Sequence, residues 1–127
     1  MKKELTTVEI VALYHGLTEL INMPELKMTP VDKYHMLRNK NVLESYAKDF
    51  DQARSSLILK YGDIVNEETG EYRIIDPEKY LGFVKDIDPI ATEKNEVDLY
   101  EIDINSLNDE NIKTTIIEAM MPIIVEK

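Results

Sequence analysis

The stretch from Thr29 to Gly62, TPVDKYHMLRNKNVLESYAKDFDQARSSLILKYG, decides the fold. Thr29 is a good N-cap, Pro30 stands at the first helical position where its missing N–H costs nothing, and Asp32 follows in the first turn. Nothing then interrupts a helix until Gly62, about thirty residues on, which is placed to stop it. Met36, Leu43, Phe50 and Leu57 recur every seven residues, with Tyr46, Ala47, Ala53, Arg54 and Tyr61 on the neighbouring stripe and Asn39 and Lys60 breaking it. Such a repeat predicts near-antiparallel packing on a second helix, with Phe50 buried at mid-series.

That second helix is written just upstream. Thr6-Thr7-Val8-Glu9 reads as a capping box, with Leu5 set to staple onto Ile10. Leu13, Tyr14, Leu17, Leu20 and Ile21 continue at helical spacing until Asn22, Met23 and Pro24. Gly16 inside this helix predicts a close crossing by another element. The first helix is about half as long as the second, so part of the long seam needs other cover.

Downstream of Gly62 the elements are short. Residues 63–75 place two apolar runs around a polar turn, the pattern of a β-hairpin or of a long ordered loop. Asp76-Pro77 caps a third helix carrying Tyr80, Leu81, Phe83, Val84 and Ile87, which Pro89 is expected to end or kink. Val97 to Ile104 reads as the best strand, with its alternation slipping between Leu99 and Ile102. A fourth helix is expected from near Asn108 or Asp109 to Pro122. The apolar run Ile123, Ile124 and Val125 either completes a sheet of its own domain or docks on a partner. The fold class that follows is α+β: one domain spanning residues 1–127, with a long-helix hairpin, a small, mostly antiparallel sheet and two shorter helices.

Charge divides the domain. Residues 1–61 carry nine basic and eight acidic side chains, whereas residues 62–127 carry six and seventeen. The net charge of −10 opposes binding of nucleic acid through its phosphates. There is no cysteine, which excludes disulfides, thiolate nucleophiles and Cys-based zinc sites. The apolar runs fall well short of the roughly 20 residues of a membrane span, and the first ten residues lack the apolar core of a signal peptide. The default expectation is a soluble protein of a reducing compartment.

Catalytic signals are weak. His15 and His35 sit on different helices, with Glu9, Glu19 and Asp32 as the nearest carboxylates in sequence. Four glycines build no phosphate loop. Asp103 to Asn108 begins like a calcium loop but has Leu107 at a ligand position, Asn108 at the turn glycine and Thr114 at the closing Glu. Lys33, Arg38 and Lys40 with Tyr34 and Tyr46 read as a solvated helix face. No catalytic, cofactor or metal residue is expected. The candidate contact residues are Glu67, Glu68 and Glu71 for a basic partner, and Met121, Ile123, Ile124 and Val125 for apolar docking.

Three segments carry a resemblance: YAKDFDQARSSLILKYG at 46–62, EVDLYEI at 96–102, and IIEAMMPIIVE at 116–126. In this order they resemble a family of small, functionally uncharacterised proteins of tailed phages and prophages, over most of residues 30–126. Pro89 departs from that pattern, in which the third helix runs on. The resemblance implies a phage protein, found in the host cytoplasm or the virion, with a role in the particle, its assembly or takeover of the host. It transfers no catalytic residue. The leading expectation is a non-enzymatic virion structural or assembly component that binds phage structural proteins or itself as an oligomer. The alternative is an anti-defence inhibitor whose acidic surface blocks a basic, nucleic-acid-binding host protein.

Overall fold

The computed structural model describes residues 1–23, 26–109 and 111–126. Helix α1 (Thr7–Ile21) and helix α2 (Pro30–Tyr61) form the expected antiparallel hairpin. The capping box is complete: the Thr6 hydroxyl accepts from the Glu9 N–H at 3.2 Å, and the Glu9 carboxylate accepts from the Thr6 N–H at 3.0 Å. Pro24, expected at the end of α1, lies outside the described residues. Thr29 caps α2 through the Asp32 N–H at 3.2 Å. Gly62 closes α2 in an extended conformation rather than a left-handed one. Glycine is required there for space, since a Cβ would meet the Ile58 carbonyl oxygen at 2.5 Å and that of Arg73 at 3.1 Å.

The expected small sheet is three separate strand pairs. A strand not anticipated from sequence, β1 (Lys2–Thr6), runs straight into α1 and pairs antiparallel with β4 (Lys94–Asp98), from Lys2 opposite Asp98 to Thr6 opposite Lys94. Strands β2 (Asp63–Asn66) and β3 (Glu71–Arg73) form the hairpin, turning through Gly70 at φ 69°. Strands β5 (Ile102–Asp103) and β6 (Ile124–Val125) pair in parallel.

The strand expected over Val97 to Ile104, with a bulge or burial on both faces where its alternation slips, is therefore corrected. It is β4, a break at residues 99–101, β5, and then a 3-10 turn over Ile104–Leu107. Leu99 and Ile102 are both buried yet three residues apart, which one unbroken strand cannot put on one face. The chain solves this by leaving the first pair and joining the last. Asp103 caps the 3-10 turn, accepting from the Asn105 N–H at 2.9 Å, which accounts for the calcium-like spelling.

Two helix boundaries also differ. Helix α3 (Pro77–Ala91) runs through Pro89 instead of ending there. Pro89 sits in the last turn, where it removes only the donor to the carbonyl of the exposed Lys85 and little helix remains to be broken. Helix α4 (Thr114–Met120) is shorter than expected and begins after Lys113. It crosses α1 at Gly16, where a Cβ would stand 3.0 Å from the Ala119 Cβ, so the expected close approach is present.

The core joins these pieces at one end of the molecule. Ile10, Leu13, Leu17 and Leu20 of α1 pack with Met36 and Leu43 of α2, with Val97, Leu99 and Ile102, and with Ile116, Met120 and Ile123. Asn39, the polar break in the long stripe, is 1% exposed at its centre. Its side-chain amide donates to the Tyr100 carbonyl at 2.9 Å, and its Oδ1 accepts from the Tyr100 N–H at 2.8 Å. Asn39 thus supplies the pairing that the chain lacks between β4 and β5. His35 stacks on the Tyr100 ring at 3.9 Å, and Lys3 pairs with Glu101 at 2.9 Å, both holding the same break.

Candidate protein-interaction surface

Core cover stops at Ala47. From Lys48 to Glu96 no residue is buried. Phe50, expected to be buried, is only half-buried, because it lines an open groove beside α1 instead of entering the core. Val11, Tyr14 and His15 face Ala47, Phe50 and Arg54 across an open groove there. The distal half of α2, the β2–β3 hairpin and α3 form an arm beyond the core. At about 1.5 Å rise per residue, α2 spans about 48 Å, of which about 21 Å beyond Ala47 lies in this arm.

The arm is held by specific polar contacts. The Tyr61 hydroxyl donates to Asp86 at 2.6 Å, and Lys60 reaches the same oxygen at 3.3 Å. Gly82 allows the approach, since a Cβ there would lie 2.7 Å from the Tyr61 ring. Lys79 of α3 pairs with Asp63 at the base of the hairpin at 3.4 Å. Phe83 and Ile87 are half-buried on the side of α3 that also carries Asp86. The Tyr61 hydroxyl, and after it the Lys60 ammonium, hold Asp86 below its ordinary value of 3.8, against a partial opposing effect of burial. A carboxylate lowered on folding stabilises the fold above its unfolded pKa, and the contribution fades as pH falls through the folded one. The stability difference between wild type and Asp86→Asn is accordingly expected to stay constant from about pH 5 to 8 and to shrink below about pH 4, read by thermal unfolding against pH. A difference that changes between pH 5 and 8 would refute this account of the contact.

The arm is rich in exposed apolar side chains: Leu59, Ile64, Val65, Tyr72, Ile75, Tyr80, Leu81 and Val84. Ile75 and Leu81 are 67% and 68% exposed. Every residue of both hairpin strands is exposed, so the hairpin seals no core. The same elements also carry acidic residues. Glu67 and Glu68 sit in the hairpin turn, whose backbone is held by Asn66 Oδ1 accepting from the Glu68 N–H at 3.0 Å. Glu71 pairs with Arg73 at 3.0 Å.

The apolar candidates at the C-terminal end divide. Met121 is 58% exposed, Ile124 and Val125 are half-buried in β6, and Ile123 is fully buried in the core. The run completes a strand pair of its own domain, the first of the two alternatives weighed for it, and Ile123 offers nothing to a second chain. The acidic and apolar candidate sets lie on different elements. The sequence reading missed Ile75 as a surface residue because it closes the apolar run of the hairpin, and it missed Tyr80, Leu81 and Val84 because their helical spacing also fits a core face.

Other chemistry is sparse. His15 contacts Tyr14 on α1, whereas His35 stacks on Tyr100. Among the described residues no three His, Cys, Asp or Glu side chains group closely enough to hold a metal ion, and no helix is long and apolar enough to cross a membrane. A cavity of about 330 Å³ at the closed end of the helix hairpin is lined by Leu20, Met28, Met36 and other apolar groups, with Lys33 and Tyr34 as its polar members among the described residues. No protein-family model, curated protein or solved structure matched the chain.

Proposed function

We propose that this chain is a non-enzymatic protein-binding protein of a tailed phage, acting in the virion or its assembly. One observation carries the binding role: from Lys48 to Ala91 the arm has no buried residue, and it displays eight large apolar side chains. Single exposed apolar residues are ordinary on any protein, but a concentration of them marks an interaction surface. The phage assignment is supported by the resemblance of residues 46–62, 96–102 and 116–126.

A second reading is supported by the charge of the same region. Residues 62–127 carry seventeen acidic side chains against six basic ones, which suits an inhibitor that occupies a basic host protein. The test is affinity purification of the full chain from cells producing the phage, together with a search for it in purified particles. Stoichiometric recovery with a phage structural protein, or presence in the particle, is the expected result. Recovery with a host nucleic-acid-binding protein would select the inhibitor instead. A monomer recovered alone, and absent from particles, would overturn both readings.

A further inference from the structure

We propose that the β2–β3 hairpin and the N-terminal half of α3 form a docking face for a cationic amphipathic helix of another protein. The inference rests on the protein-binding reading and names its surface and partner chemistry. Ile64 and Tyr72 stand opposite each other across the hairpin, which puts both side chains on one face, and both are exposed. Leu81 and Val84 form a second exposed stripe on α3, turned away from Phe83, Asp86 and Ile87, and the exposed Tyr80 flanks it with its ring 6.3 Å from that of Phe83. Ile75 lies between the two elements, and the Lys79–Asp63 pair fixes the start of α3 to the hairpin base. The apolar groups therefore sit on a braced frame.

Charge selects the occupant. Residues 62–91 hold eight acidic and three basic side chains. Asp63, Glu71 and Asp86 are engaged by Lys79, Arg73 and Lys60, whereas Glu67, Glu68, Glu78 and Asp88 have no ion-pair partner among the described residues. A second copy offering the same face would set this negative excess against itself, and a phosphate backbone or an anionic membrane would be repelled likewise. A helix with an apolar stripe flanked by Lys and Arg satisfies both the exposed apolar groups and the free carboxylates.

The test titrates full-length protein into a labelled 18-residue Leu/Lys amphipathic peptide, with a Leu/Glu peptide of the same spacing and a Ser/Lys peptide of the same charge as comparisons. The Leu/Lys peptide is expected to bind at least tenfold more tightly than either comparison. Its affinity is expected to fall at least tenfold in Tyr80→Ser/Leu81→Ser and in Glu67→Lys/Glu68→Lys/Glu78→Lys, with unchanged helix content. If the serine pair loses helix content, Ile75→Ser, outside both elements, carries the same expectation. Equal binding of the Ser/Lys peptide would mean undirected charge attraction and overturn the proposal. So would wild-type affinity in either variant, preference for the Leu/Glu peptide, or a dimer abolished by Leu81→Ser. A phage protein recovered equally with wild type and with Leu81→Ser would leave the binding function standing and remove this face from it.

Discussion

Replacing Asn39 by leucine is expected to destabilise the protein by about 2–4 kcal/mol. The substitution keeps roughly the same volume but removes both hydrogen bonds to Tyr100, whose N–H and carbonyl then lose their partners beside a buried side chain. Each unsatisfied backbone group costs about 1–3 kcal/mol, and some return of water to Tyr100 keeps the sum below the maximum. The measurement is the urea midpoint at unchanged slope. Asn39→Asp separates hydrogen bonding from packing. It keeps the acceptor for the Tyr100 N–H but turns a carboxylate oxygen toward the carbonyl. Its loss should be largest at neutral pH and should ease as the acid becomes protonated and can donate again. A cost below about 1 kcal/mol for Asn39→Leu would show that the break between β4 and β5 is held by other contacts.

Two residues of one seven-residue series should differ sharply. Leu43 is fully buried, so Leu43→Ala is expected to cost about 3–5 kcal/mol, a large part of the total stability of a domain this size. Phe50 is half-buried at the mouth of an open groove, and Phe50→Ala should cost only about 1 kcal/mol. Chemical denaturation of the two variants side by side tests where the core ends. Equal losses would mean that the cover on α2 continues past Ala47 and that the distal arm is not free.

The outcome at Phe50 shows what periodicity can convey. A seven-residue repeat states that a stripe is apolar and helical, and it says nothing of how far a partner runs along it. The same limit hid the face of α3. Tyr80, Leu81 and Val84 fit a helix core pattern as well as Phe83 and Ile87 do, and only the packing on Tyr61 and Gly82 shows which side of the helix turns inward. The acidic candidates Glu67 and Glu68 were legible because a polar turn between two short apolar runs places them locally. The reading of Ile123 as a contact failed because its burial depends on distant elements packed around it.

Local chemistry in the sequence was enough to determine the two long helices, their caps at Thr6 and Thr29, the end of the long helix at Gly62 and the charge asymmetry. Each of these is decided within a few residues by backbone geometry, by side-chain capping or by simple composition. The choice between a β-hairpin and an ordered loop after Gly62 was made by the structure. Tertiary structure alone decided that β1 exists, since its five residues carry too little pattern to be read without β4 beside them. It also decided that the segment after β4 changes partners at Tyr100, because the group that stabilises the change is Asn39, sixty-one residues away on α2. Finally, it decided that the arm is bare. Burial is a property of what else packs nearby, and α1 ends its cover before the long helix does.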